Sequence, residues 1–111
     1  MSNPFAGEVS LVIDGHRHVL KLTLGALAEL EAGLGADTLV ALIGRFEERQ
    51  FSSRDVLALI VAGLRGGGWQ GDASDLFQAE IDGGALQAAR VAAQLLVRAF
   101  GPLKAADHGS V

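Results

Sequence analysis

Residues 8–30 have the sequence EVSLVIDGHRHVLKLTLGALAEL, and this stretch decides the fold. The pair Asp14-Gly15 separates two short runs in which apolar residues alternate with others, which is the strongest local signal of a β-hairpin. A two-residue turn places these opposed pairs on one face: Val9 and Leu20, Leu11 and His18, Ile13 and His16. The sequence therefore predicts a hairpin over residues 8–22. Its mostly apolar face must pack on other elements, because a lone hairpin is marginal in water.

The residues after the hairpin are predicted to be helical. Suitable N-cap residues indicate where the first three helices begin, at Thr23, Asp37 and Ser52. The third start is the best defined, because Ser52 is followed three residues later by Asp55 in the pattern of a capping box. Apolar residues recur at helical spacing after each of these caps.

Two further helices are predicted toward the end of the chain. A short one covers about 74–81, between a glycine-rich loop and a pair of glycines. The last covers about 85–100 and is predicted to bury the side formed by Leu86, Ala89, Ala93, Leu96, Val97 and Phe100. The whole pattern predicts an α+β fold, mostly α, in which the N-terminal β-hairpin is followed by a compact bundle of about four to five helices.

The chain is predicted to form a single domain over residues 1–111. Within it, residues 8–22 are the hairpin, 23–100 the helical region and 101–111 a flexible tail. Hydrophobic residues make up 50% of the chain and aromatic residues only 5%. The core must therefore consist mainly of Leu, Val, Ile and Ala, and such a core suits close helix packing better than a large ligand pocket.

Charge and composition argue against several classes of protein. The net charge is −4 and the 9 Lys and Arg residues are scattered, whereas nucleic-acid binding needs clustered positive charge. Cys is absent, so no disulfide framework or thiol chemistry is predicted. No segment approaches the ~20 continuous apolar residues of a membrane span, and no secretion signal precedes the hairpin. We therefore expect a cytoplasmic protein that binds neither nucleic acid nor membrane.

Side chains that can carry chemistry are few and poorly grouped. His16 and His18 share a strand face, but a third ligand is missing and His108 lies in the predicted tail, so no metal site is predicted. Glycines 66–68 follow a helix and lack the Lys-Ser/Thr of a phosphate-binding loop, so we expect a plain interhelical loop. No serine lies in a nucleophile elbow, and neighbouring carboxylates do not face each other on a helix. The sequence therefore predicts a non-enzymatic protein without a cofactor.

Residues 65–81 form the predicted partner-binding region. The segment combines several glycines, the only Trp and a short helix, and its candidate binding residues are Trp69, Leu76 and Phe77. Trp is enriched at binding hot spots, although a Trp buried under a loop is the commoner arrangement, and both interpretations of Trp69 stay open. Local opening is easiest where few contacts hold an element. We therefore expect Leu76 and Phe77 to turn outward and to help dock an apolar partner in a hydrophobic groove.

Four stretches carry a resemblance to a known family. In chain order they are the turn Asp14-Gly15, the run at residues 22–31, the block at 51–56 and the ending at 95–101. Together they resemble the small proteins of gene transfer agents and related tailed phages that are grouped as tail assembly chaperones. The resemblance extends over nearly the whole chain, rests on structural residues and includes no catalytic signature.

The resemblance implies a role in tail assembly inside the bacterial cell that produces the particle. Such chaperones are thought to coat the tape measure protein, keep it soluble and give way as tail tube subunits polymerise around it. The tape measure protein and the tail tube protein are therefore the implied partners. The alternative is a structural component of the tail or its connector that is retained in the particle, and presence in purified particles distinguishes the two. Self-association and an accessory binding role in another system stay open.

Overall fold

The computed structural model describes residues 8–101 as a β-hairpin followed by helices. Its elements are β1 (Glu8–Ile13), β2 (His16–Lys21), α1 (Leu24–Gly33), α2 (Leu39–Glu47), α3 (Ser53–Gly66), a 3-10 helix (Ala73–Leu76) and α4 (Gly84–Phe100). The predicted class, α+β and mostly α with an N-terminal hairpin, is confirmed. No helix within residues 8–101 is long and apolar enough to cross a membrane.

The hairpin has the predicted register. β1 and β2 pair antiparallel with Leu11 opposite His18 and Ile13 opposite His16. Asp14 and Gly15 have φ angles of 52° and 79°, and a tight hairpin turn of type I′ requires the left-handed region at both positions. The apolar face is turned inward, because Leu11 and Ile13 are buried together with Leu20 of β2.

The core is centred on α3. Leu59, Ile60 and Leu64 of this helix are almost completely removed from solvent. α1 and α4 both pack on α3, and β2 packs on its C-terminal half. Gly63 permits this approach, because an added Cβ would lie 2.7 Å from Leu95 Cδ1 of α4 and 3.1 Å from Cβ of Leu20. The hairpin and the helices therefore share one continuous hydrophobic core.

The glycines at the end of α3 have a larger role than the predicted plain loop. A Cβ added to Gly66 would overlap the backbone carbonyl oxygen of Lys21, and one added to Gly67 would overlap that of Val19. Both carbonyls belong to β2, so the glycines let the last turn of α3 lie directly against the strand. This contact joins the hairpin to the helical region and covers part of the outer edge of the sheet.

The predicted helix starts are confirmed at two of the first three positions. Thr23 caps α1 by accepting a hydrogen bond from the Ala26 N–H at 3.0 Å, and Ser52 caps α3 with the predicted capping box. The N-cap of α2 is Thr38 and not Asp37, so that prediction is wrong. The Thr38 hydroxyl oxygen accepts from the Ala41 N–H at 3.0 Å. Asp37 instead accepts from the Thr38 N–H and pairs with an arginine described below.

The short helix predicted over residues 74–81 is wrong in type and length. Only Ala73–Leu76 is helical, as a single 3-10 turn, and the chain then returns to the hairpin. Ile81 forms an isolated antiparallel bridge with Ile13, and the Asp82 N–H donates to the Val12 carbonyl at 3.0 Å. Hydrogen bonds to β1 thus replace the backbone hydrogen bonds that a longer helix would have made, so these backbone groups are paired without a helix.

The last helix lies where it was predicted but largely turns a different side inward. The buried residues of α4 are Ala88, Val91, Ala92, Leu95 and Leu96. Of the predicted buried side, Leu86 is 64% exposed and Phe100 46% exposed. α4 is apolar around most of its circumference, so periodicity alone does not decide which arc meets the core.

Candidate partner-binding surface

An apolar groove opens between α3, the 3-10 helix and the first turns of α4. Its volume is about 580 Å³. Its lining is mainly hydrophobic and consists of Phe51, Ser52, Ser53, Val56, Leu57, Ile60, Leu76, Phe77, Ile81, Ala85, Ala88 and Ala89. An apolar groove suits an apolar helix or segment of another protein.

Two of the three predicted binding residues line this groove. Leu76 is only 9% exposed and belongs to the core, so the expectation that it turns outward is wrong. Phe77, the next residue, is 70% exposed and stands at the rim of the groove. The 3-10 turn explains the difference, because adjacent residues of a helical turn point in different directions.

Trp69 lies elsewhere. It is half-buried and lines a separate depression of about 280 Å³ together with His16, His18 and Leu76. Its backbone N–H donates to the Leu64 carbonyl at 2.9 Å. The structure therefore does not bring Trp69 into one site with Phe77, although Leu76 contributes to the lining of both cavities.

Several hydrogen bonds fix the segment that contains Trp69, Leu76 and Phe77. The Glu80 N–H donates to a carboxylate oxygen of Asp14 at 2.8 Å, and the Asp14 N–H donates to the Glu80 carbonyl at 2.8 Å. Arg65 donates to the Gly71 carbonyl and to Glu29, both at 2.9 Å. The segment that carries Leu76 and Phe77 is thus fixed at both ends, at Gly71 and at Glu80. Neither set of hydrogen bonds can be predicted from the local sequence.

A charged cluster supports the other end of the groove. Arg45 donates two hydrogen bonds to the carboxylate of Asp55, at 2.8 and 2.9 Å, and its guanidinium lies 2.9 Å from Asp37. The buried Asp55 also accepts from the backbone N–H of Ser52 at 2.9 Å. α2 is thereby fixed to the start of α3, where Ser52 lines the groove.

The hydrogen bonds from Arg45 hold the pKa of Asp55 below its usual value, with a further lowering from Ser52, while burial acts in the opposite direction. Its folded-state pKa lies below the unfolded value, so the carboxylate stabilises the fold fully above that unfolded value of 3.8. The stabilisation declines as the pH falls toward the lower folded-state pKa.

We expect Asp55→Asn to lower the free energy of unfolding by about 2 kcal/mol at neutral pH, since it removes hydrogen bonds to a charged group. Urea unfolding at a series of pH values checks this. The variant should lose less stability than the wild type between about pH 5 and pH 2. The matched control is Asp82→Asn, which changes an exposed carboxylate. If the free energy of unfolding depended on pH equally in Asp55→Asn and the wild type, the ion pair of Arg45 and Asp55 would not stabilise the fold as described.

The hairpin histidines are placed as the register predicted. Nδ1 of His16 lies 3.1 Å from the Asp14 carbonyl oxygen, and His18 is half-buried at the depression beside Trp69. Within residues 8–101 no group of three or more His, Asp or Glu side chains is arranged to hold a metal ion. His108 lies outside the described residues.

Comparison with known proteins assigns the chain to the proteins of gene transfer agent and phage tails. It belongs to the family described as phage tail tube protein, GTA-gp10, whose model matches residues 6–102. No curated protein and no solved structure matches the chain.

The family corrects the functional prediction. The expected link to gene transfer agents and phage tails is confirmed. The predicted role as a tail assembly chaperone is wrong, because the family is described as a tail tube protein, which is a structural part of the tail. The residues behind the resemblance are turn, cap and core residues, which identify a fold family but do not report what the protein does in it.

Proposed function

We propose that this protein is a structural subunit of the tail of a gene transfer agent or phage-like particle and is retained in the finished particle. The family match over residues 6–102 is the observation that carries the proposal. A structural role needs no catalytic site, so the proposed function is non-enzymatic. The protein would be made in the cytoplasm of the producing cell and pass from there into the growing tail.

The surface of the domain supports a role in assembly. Phe77 is largely exposed at the rim of the apolar groove, and Leu86 is largely exposed on α4 outside it. Exposed apolar patches rimmed by polar residues mark protein-protein contacts more often than idle surface. The proposed partners are therefore other protein subunits of the tail, including further copies of this chain. Contact with the tape measure protein stays a prediction from the resemblance.

Mass spectrometry of purified particles tests the proposal. We expect this protein in stoichiometric amounts with the other tail proteins, and we expect deletion of its gene to abolish complete tails. Absence from purified particles, with normal amounts in the producing cells, would contradict a structural role.

The same experiment tests Phe77 as a binding residue. Phe77→Ala removes an exposed ring at the groove rim, and Val40→Ala removes methyl groups from an exposed residue of α2 that does not line the groove. If Phe77 is a hot spot, its truncation should weaken tail contacts by ~1–3 kcal/mol and reduce incorporation into particles, whereas Val40→Ala should be incorporated like the wild type. Normal incorporation of Phe77→Ala would remove Phe77 from the interface and leave the structural role intact.

A further inference from the structure

The outer face of α4 carries a continuous apolar stripe. Leu86, Val97 and Phe100 are exposed, and Ala93 lies between them. Their spacing of seven, four and three residues aligns them along one side of the helix. This side points away from the buried side of Ala88, Val91 and Leu95.

The charged residues of α4 itself are both positive. Arg90 and Arg98 are exposed on the adjacent side of α4, and the helix contains no carboxylate. α1 has the opposite character: its outer face carries the exposed residues Leu24 and Ala28 beside Glu31, and the helix contains no Lys or Arg. The two helices thus present complementary charges next to apolar residues.

These two faces lie on different sides of the molecule. The groove between α1 and α3 is lined by Ala58 and Val61 of α3. On α3, Ile60 lines the groove beside α4, and Gly63 packs against α4. Residues 58 and 61 lie nearly opposite 60 and 63 around a helix of 3.6 residues per turn. α1 and α4 therefore flank α3, and within residues 8–101 each exposes its outer face.

We propose that the α4 face of one copy docks on the α1 face of a second copy, in a head-to-tail contact. This inference rests on the proposed structural function and names the partner as the chain itself. An α4-to-α4 contact would instead bring Arg90 and Arg98 of both copies to one interface with no carboxylate on either helix, and like charges disfavour such pairing. A head-to-tail contact uses different surfaces on the two copies and repeats into a ring or filament, which is the arrangement that a tube requires.

Cysteine cross-linking tests the contact directly, because the natural chain has no Cys. We expect Val97→Cys on α4 and Ala28→Cys on α1 to form few disulfides when each variant is oxidised alone. Mixing the two should give covalent dimers, and the Val97→Cys/Ala28→Cys double variant should give a ladder of higher oligomers. Arg17→Cys on the exposed side of the hairpin is the control and should cross-link with neither. Self-linking of Val97→Cys as the main product would overturn the head-to-tail contact in favour of a symmetric one.

Charge reversal supplies an independent test. Arg90→Glu and Glu31→Arg should each weaken self-association by about tenfold in sedimentation experiments at low salt, and the double reversal should restore it. Circular dichroism checks that the variants remain folded. Cross-linking of the double-cysteine variant in purified particles repeats the test in the assembled state. If the protein is present in particles but gives no ladder there or in solution, this contact is overturned while the structural function stands. If it is absent from particles, the proposed function fails.

Discussion

Replacing Gly66 with alanine is expected to destabilise the protein by about 3 kcal/mol, although the change adds a single methyl group. The added Cβ would overlap the carbonyl oxygen of Lys21 and lie 3.2 Å from Cβ of Ala26. Neither neighbour can move without shifting β2 or α1. The last turn of α3 must therefore separate from the strand, which breaks the main contact between hairpin and helices. Urea unfolding followed by circular dichroism measures the change.

Gly44→Ala is the matched control for this prediction. Gly44 lies inside α2, and a Cβ added there meets nothing within 4 Å. Alanine favours the helix more than glycine does, so this variant should be as stable as the wild type or more stable by up to about 1 kcal/mol. If Gly66→Ala behaved like Gly44→Ala, α3 would not approach β2 as closely as the structure shows.

The features that could be predicted from the sequence depend on residues close together in the chain. The turn at Asp14-Gly15 needs only two positive φ angles and two alternating runs. The caps at Thr23 and Ser52 need only an N–H group three residues away. The turn and both caps are formed by residues close together in the chain, so the local pattern is sufficient to predict them.

The features that the sequence did not predict depend on residues far apart in the chain. The Glu80 N–H reaches the Asp14 side chain across 66 residues, and this contact changes a predicted helix into a segment paired with β1. The role of Gly66 likewise appears only when Lys21 is brought beside it. No local pattern contains either distant partner. From the sequence alone, Asp14 and Gly66 are therefore predicted to be ordinary turn or loop residues.

The candidate site shows the same division. Composition pointed to the segment around Trp69, Leu76 and Phe77, and two of these residues do line a groove. The burial of Leu76 and the exposure of Phe77 follow from the direction of one 3-10 turn, which the sequence did not specify. The other walls of the groove come from α3 and α4, so its shape arises only from tertiary packing.

Leu95→Ala is expected to lower the free energy of unfolding by about 2–5 kcal/mol, the usual range for removing a buried leucine side chain. Leu95 has no solvent-exposed surface, and its Cδ1 packs against Gly63 of α3. The change leaves a cavity between two helices, because the surrounding core cannot fully collapse into the space. Thermal and urea unfolding of the purified variant measure the loss.

Leu86→Ala on the same helix is the control, because it makes the identical chemical change at an exposed position. Its effect on stability should stay within about 0.5 kcal/mol, as for most surface substitutions. The pair of variants decides which side of α4 faces the core, since the sequence pattern predicted Leu86 to be buried and the structure buries Leu95. A larger loss for Leu86→Ala than for Leu95→Ala would reverse that orientation. It would also remove the exposed stripe on which the head-to-tail contact between copies depends.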